Sequence, residues 1–353
     1  MSTSTPVPSI SVVMATLGRP QNLAELVPAV LSDEAVRHFV VVVDGPDPIS
    51  VAILTSLQLR FDRLAFTQIE RSGHLRALDV GVGLTDADIV LLLDDDVVPT
   101  PGLAAAHARA HRDQHGLVLV GSMPVQLPES GGDIGSLLYA REYLSHCERL
   151  ENGEFEVLDN LWQGNVSIRR SDCLSVGLAT CAFTASYHTD RDLGIRLADA
   201  GLTGRFDPSL VAAHRHRRSD WAFLHDARRR GAGLAKLHEV HESRLGPFDP
   251  AVFTADLPAP LAAAARFVGS RPMAPRVARG LLGLATLPGV GRWGSGRLGL
   301  AKLARRLMLL WGATNGEGET AHGAALAKTA DTAEGTDADA PELRGGERQL
   351  ADR

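Results

Sequence analysis

The sequence predicts an α/β fold, a mostly parallel sheet covered by helices on both faces and followed by a C-terminal helical appendage. Three observations predict it. Apolar runs such as Ile10–Thr16, Phe39–Val43 and Ile89–Leu93 recur along the first half. Runs without polar alternation are strands covered on both faces. The stretches between them carry apolar residues at helical spacing, and strands that alternate with helices imply parallel pairing. From Ala251 the composition shifts to Leu, Ala, Gly and Arg, which marks the appendage.

The elements follow in order. After the first strand, Pro20 opens a helix through Leu23, Leu26, Val27 and Val30. Proline suits a first helical position, where its missing N–H costs nothing. Phe39–Val43 is the second strand and ends at Asp44-Gly45-Pro46. A helix from about Ile49 to Leu59, a strand Leu64–Ile69 and a short helix Leu75–Leu84 come next. The strand Ile89–Leu93 ends in Asp94-Asp95-Asp96, and a helix Pro101–His115 and a strand Leu117–Val120 complete this part. In parallel sheets the ligand site lies beyond the carboxyl ends of the strands. That rule brings Thr16, Asp44 and Asp94–Asp96 together.

A chain of 353 residues accommodates one large α/β domain and an accessory region. The expected division is a flexible N-terminus (1–8), a catalytic domain (9–250), a basic amphipathic helical region (251–312) and a disordered tail (313–353). The tail has almost no large apolar side chains to bury. A net charge of −6 argues against a nucleic-acid partner. Three cysteines, Cys147, Cys173 and Cys181, with no CxxC, suggest a reducing compartment and no structural zinc. Neither a secretory leader nor a run of eighteen apolar residues is found, so a cytoplasmic protein is expected. In 251–312 the single acid is Asp256, and Leu300, Leu303, Leu307 and Leu310 share a helical face with Lys302, Arg305 and Arg306 largely off it. Two readings stay open: a helix lying on the anionic inner face of a membrane, or one packed on the catalytic domain.

Adjacent carboxylates repel, so Asp94–Asp96 at the end of a buried strand points to a bound divalent cation, Mg²⁺ or Mn²⁺, which takes oxygen ligands and bridges to phosphates. The plainer reading is a solvated loop that caps the next helix. Asp44-Gly45-Pro46 is likewise an ordinary turn, and Thr189 with Asp192 has capping-box spacing.

Five stretches in order and spacing, from about Ser9 to His216, resemble the inverting family 2 glycosyltransferases. SVVMATLGRPQNL is similar to that family's opening strand and loop, and FVVVVDGPDP to its second strand. GHLRALDVGVGLTDADIVLLLDDDVVPTPGL resembles its helix, strand and DxD stretch. LWQGNVSIRRSDCLSVG and TDRDLGIRLADAGLTGRFDPSLVAAHRH resemble its central and base-bearing segments. The resemblance implies a GT-A fold, an α/β/α sandwich of the nucleotide-diphospho-sugar transferases. It also implies residue roles. Thr16 and Arg19 would line the nucleotide pocket, and Asp44 would accept from the N3–H of uracil or thymine. Asp94 and Asp95 would contact the donor, with Asp94 on the ribose. Asp96 would ligate the metal, joined by His214 or, in its place, His216. Asp190 would be the catalytic base, and Trp162, Gly164 and Asn165 would shape the place where sugar and acceptor meet. Such roles suit direct displacement, which needs a base for the acceptor hydroxyl and a neutralised leaving diphosphate.

The chain departs from the family pattern at Thr189, His74 and Asp79, and an anionic Asp79 near a diphosphate would be awkward. The QxxRW motif of processive members is absent, which favours transfer of a single sugar. The expected function is inverting, metal-dependent transfer from a UDP- or dTDP-sugar to a hydroxyl of a glycan, lipid-linked glycan or small metabolite. The alternatives are an inactive membrane-associated scaffold of the same fold, or a sugar-phosphate nucleotidyltransferase.

Overall fold

The computed structural model describes residues 6–127, 133–215, 219–287 and 294–316. The chain runs β1 (Ile10–Thr16), α1 (Pro20–Leu31), β2 (Val36–Asp44), α2 (Pro48–Gln58), β3 (Leu64–Ile69), α3 (His74–Gly83), β4 (Ile89–Leu93), β5 (Val97–Pro99), α4 (Leu103–Ala110) and β6 (Leu117–Ser122). Then come α5 (Ile134–Glu151), β7 (Asn165–Arg169), α6 (Arg170–Val176), α7 (Thr189–Asp199), β8 (Thr203–His214) and α8 (Asp220–Val240). The C-terminal part contains α9 (Glu242–Leu245), a 3-10 turn (Pro250–Thr254), α10 (Ala259–Gly269), α11 (Ala274–Thr286) and α12 (Gly294–Asn315).

The strands form one sheet in the order β3-β2-β1-β4-β7-β6-β8-β5. β1 pairs in parallel with β2 and β4, β2 with β3, and β6 with β8. β7 runs antiparallel between β4 and β6, and β5 antiparallel on the edge of β8. Every residue of β1 and β4 is buried, as an apolar run covered on both faces requires. Successive residues serve opposite layers. Ile10, Val12 and Met14 pack with Leu23, Leu26 and Val27 of α1, while Val13 and Ala15 pack with Ala77, Leu78 and Val82 of α3. The sandwich is therefore two apolar cores divided by the sheet.

Helix boundaries fall within a few residues of those expected, with two instructive exceptions. The helix after the aspartates begins at Leu103, not Pro101, because Gly102 takes a left-handed φ of 77° and only then does the helix start. The capping box at Thr189 does not form. Its helix is preceded by His188, and Asp192 turns instead to Arg196 (2.9 Å) and His241 (2.8 Å).

The apolar stripe of α12 faces protein. Leu307 and Leu310 are buried, and Leu300 and Leu303 pack against the same core as Phe223 and Leu224 of α8 and Ala278 and Leu282 of α11. Of the two readings of this stripe, packing on the rest of the chain is the one found. Trp293 and Arg292 of that region, and residues 317–353 of the tail, lie outside the described residues.

The α8–α12 crossing depends on glycine. A Cβ on Gly231 would lie 2.0 Å from the Leu309 carbonyl oxygen, and one on Gly312 would lie 1.9 Å from that of Arg228. Backbone, unlike a flexible side chain, cannot step aside. Gly312→Val is therefore expected to destabilise the protein by about 1–3 kcal/mol, the usual range for overpacking. A thermal melt checks this, and an unaltered midpoint would mean that the two backbones do not touch.

Candidate active site

The carboxyl ends of the strands border a cavity of about 920 Å³. Of the residues expected at the site, Arg19, Asp94, Asp95, Asp96, Trp162, Asp190 and His214 line it. Thr16 sits directly behind them.

The three aspartates have different surroundings. Asp95 is buried. It accepts from the Thr16 hydroxyl (2.8 Å) and from Arg19 Nη1 (2.7 Å), while Asn22 Nδ2 donates to its carbonyl (2.8 Å). Burial pushes the Asp95 carboxyl up, against the pull of Arg19. Arg19 Nη1 also reaches Asp96 Oδ2 at 2.8 Å, and on the other side Asp96 Oδ1 lies 3.3 Å from His214 Nε2. Asp94 accepts from His74 Nε2 at 3.4 Å. Burial opposes a charge on His74, but the bond to Asp94 and the nearby carboxylates prevail and raise its pKa. The cluster is thus compensated in part by one guanidinium and one imidazole, drawn from the starts of α1 and α3, the helices that follow β1 and β3.

His214 is placed by the sheet. It ends β8, pairs with Val97 across the β5 ladder, and its ring meets Tyr139 edge-on at 5.7 Å. His216, the alternative ligand, lies outside the described residues. Gly164 brings the next chain segment close to Asp94. Its φ is 127°, and a Cβ there would sit 2.7 Å from Asp94 Oδ2 and 2.6 Å from Met123 Sδ. Trp162 stands in an aromatic group, edge-on to Tyr139 (5.6 Å), Tyr143 (5.1 Å) and His146 (5.2 Å).

Asp190 is the second residue of α7. The Arg191 backbone N–H donates to its Oδ1 at 2.9 Å, and a second backbone bond comes from Gln163. Burial raises its pKa above the ordinary aspartate value, and the backbone bonds with Arg191 and Gln163 and the cations of Arg191 and Arg230 hold the rise in check. Asp190 is near enough to act on the charge of His74, so Asp190 and the aspartate cluster share one electrostatic site. Beside it, His188 adopts a φ of 66°, a left-handed conformation rare for a residue with a side chain. Because the Arg191 cation lowers the Asp190 pKa, Arg191→Gln is expected to move the acid limb of the pH–rate profile upward. An unmoved limb would show that Arg191 does not act on the group that titrates.

Two expected site residues lie elsewhere, and one worry dissolves. Asn165 is fully buried away from the cavity. Its Nδ2 donates to the Leu210 carbonyl (2.9 Å) and the Ser122 carbonyl (3.3 Å), and its Oδ1 meets His107 Nε2 (3.1 Å). It joins β7 to β6 and β8 instead of shaping a sugar pocket. Asp44 also lies off the cavity wall, where it accepts from Ser72 N (2.7 Å), Ser72 Oγ (3.2 Å) and Gly73 N (3.0 Å) and so holds the turn ahead of α3. Asp79 does not approach the donor end. It accepts from Leu178 N (2.6 Å) and Ala179 N (3.0 Å) and fixes the loop after α6.

The structure adds residues that no motif marks. Asn22 and Arg191 lie inside resembling stretches, where the resemblance implies no role for them, and Arg230 lies outside those stretches. His188 is betrayed only by its backbone angle. The cavity is completed by α8 and α12, whose side chains reach it from far along the chain.

Comparison with known proteins accords with this geometry. Residues 11–175 match the family described as glycosyl transferase family 2. The uncharacterized glycosyltransferase YfnE of Bacillus subtilis (strain 168) is 24% identical over 300 residues, covering 68% of this chain and 74% of that protein. The mannosyltransferase PcManGT from Pyrobaculum calidifontis, solved with GDP-Man and Mn²⁺, superposes with a TM-score of 0.52 at 18% identity over 85% of this chain and 87% of that one. The fold is that of the GT-A enzymes, with additional C-terminal helices. An aspartate-rich strand end, the Asp190 carboxylate on the same cavity and the similarity of residues 11–175 to glycosyl transferase family 2 together support a glycosyltransferase.

Proposed function

We propose that the chain transfers one sugar, with inversion, from a UDP- or dTDP-linked donor to an acceptor hydroxyl. The observation that carries this is the presence of Asp190 and the Asp94–Asp96/His214 cluster on the walls of one cavity. The Asp190 carboxylate takes the proton of the attacking hydroxyl, while the Arg191 N–H keeps Oδ1 oriented. Trp162 and its aromatic neighbours bound the space for the two sugars. Arg19 and His74 add positive charge where the leaving diphosphate gathers negative charge.

The residues fit a divalent cation only in company with the donor. Among the described residues no group of three or more His, Cys, Asp or Glu side chains is arranged to hold a metal alone. One carboxylate and one imidazole, Asp96 and His214, are a suitable pair of protein ligands for Mn²⁺ or Mg²⁺ when diphosphate oxygens and water supply the rest. When bound there, the ion supplies charge neutralisation for the departing diphosphate.

Support for uracil or thymine comes from Asp44 at the end of β2, whose Oδ2 accepts from the Gly73 N–H at 3.0 Å and has a second lone pair to offer. For contact with an anionic membrane surface, the exposed apolar residues are Phe267, Met273, Leu284 and Leu287 on and around α10 and α11, not the stripe of α12. No helix of the described residues is long and apolar enough to cross a membrane.

A thermal-shift screen of UDP-, dTDP- and GDP-sugars with and without Mn²⁺ tests the donor, because a bound ligand stabilises by mass action. A uracil or thymine donor is expected to stabilise most, and only with metal. Preference for a GDP-sugar would remove the base-reading role from Asp44.

A further inference from the structure

The end of the cavity beyond Asp190 is built from cations. Arg191 of α7, Arg229 and Arg230 of α8, and Lys302, Arg305 and Arg306 of α12 all line it. The carboxylates contributed by these helices are Asp190 and Asp226, and α5 adds Glu142. Glu142 is shared: Arg230 Nη2 reaches one oxygen at 2.7 Å and Arg305 Nη2 the other at 2.5 Å. Arg191 directs its Nε to a neutral acceptor, the Asp159 carbonyl (2.9 Å). The acid that Arg306 meets, Asp256, is itself largely exposed.

So many cations against so few carboxylates leave an excess of positive charge in a partly enclosed space. The neighbouring groups register it. Burial, reinforced by Arg230, holds Arg191 and Arg305 below the ordinary guanidinium range and pushes His146 down to about 4. Arg229 meets Asp226 at 3.8 Å, but Arg230 and Arg305 divide one carboxylate and Lys302 is exposed, so cations outnumber acids along this lining, which favours an anion there. Planar guanidinium groups converging from two helices match phosphate oxygens in particular. The proposed function puts the donor's diphosphate at the other group of residues, around Arg19, Asp96 and His214.

We infer that the acceptor carries a phosphate group, held by Arg230, Lys302 and Arg305 while its hydroxyl faces Asp190. The inference rests on the glycosyltransferase reading of the site and names the class of its second substrate. It also gives α12 a task. Its apolar face docks on α8, and that docking delivers Lys302 and Arg305 to the cavity. The phosphate belongs either to a soluble sugar phosphate or to a lipid headgroup, since Leu138, Phe253 and Leu309 line the same cavity and present apolar surface beside the cations.

The test is calorimetric titration of the full chain with inorganic phosphate and with a hexose phosphate, beside sedimentation with phosphatidylcholine vesicles containing or lacking phosphatidic acid. UDP with Mn²⁺ is titrated in parallel. Lys302→Gln changes an exposed side chain and leaves packing alone, while Arg305→Gln and Arg305→Lys probe the shared pair. Phosphate affinity is expected to fall about tenfold in Lys302→Gln and in Arg305→Gln, the scale of one charge-assisted hydrogen bond, and to return in part in Arg305→Lys. UDP affinity is expected to stay within about twofold. A hexose phosphate that binds in preference assigns a soluble acceptor, and pelleting confined to phosphatidic acid vesicles and lost in Lys302→Gln assigns a lipid one. Phosphate affinity unchanged by Lys302→Gln would overturn the inference. So would UDP affinity falling in step, because the cations would then serve the donor. Phosphate binding without any metal-dependent UDP binding would instead overturn the glycosyltransferase site beneath it.

Discussion

Asp190→Asn is expected to bind donor as the wild type does and to lose roughly 10²–10⁴-fold in transfer, the range that general-base catalysis contributes. The amide keeps the shape of the carboxylate and can still accept from the Arg191 N–H, but it cannot take a proton. The pH dependence adds a second signature. A base works only when deprotonated, so activity is lost as pH falls through its pKa. Burial raises the Asp190 pKa above the ordinary aspartate value, so the acid limb of the wild type is expected at higher pH than an exposed aspartate would give. In Asp190→Asn that limb disappears along with the rate. Donor affinity and transfer measured separately decide the matter. Normal transfer by the variant would move the base elsewhere. The obvious substitute, Asp192, is a poor one, since it is buried and committed to Arg196 and His241.

Asp96→Ala is expected to cost donor turnover about a thousandfold or more, because a metal at the departing diphosphate supplies several kcal/mol of charge stabilisation. The fold is expected to survive. Asp96 lies past the end of β4, and Arg19 keeps its bond to Asp95 when the second partner goes. Circular dichroism and a melt separate the two effects. Asp94→Ala is expected to weaken donor binding and also to lower the pKa of His74, since the Asp94 bond is what raises it. Turnover by Asp96→Ala in EDTA equal to that of the wild type with Mn²⁺ would exclude the metal role.

Much of this was legible in the sequence because the first half is locally consistent. Continuous valine and leucine runs in β1, β2 and β4 admit little but buried parallel strands, and the strand-end rule gathers Thr16 and Asp94–Asp96 correctly, though Asp44 lies off the cavity wall. The exact β3 boundaries, Leu64–Ile69, followed from the same pattern. What could not be read was set by contacts distant in sequence. Asn165 sits in a motif that resembles a pocket segment, yet its amide is consumed by carbonyls of β6 and β8, and only the sheet order reveals that. The stripe on α12 satisfied the pattern of an interfacial helix as well as that of a packed one. The decision rested on Gly231 and Gly312, small residues whose value shows only when two backbones meet. Charge told the same story. Lys302, Arg305 and Arg306 lie off the apolar stripe in sequence, and only the docking of α12 shows that they line the cavity.

The most direct test of a base and a leaving-group site on opposite sides of one sugar carbon is the stereochemistry of the product. The donor selected by the thermal-shift screen is incubated with the full chain and Mn²⁺, and the anomeric proton of the sugar first transferred, to acceptor or to water, is followed by NMR before mutarotation. The opposite anomer to that of the donor is expected, formed at a rate that Asp190→Asn suppresses. The donor's own configuration in the first product would contradict it, because retention would require two displacements and a role for Asp190 other than base.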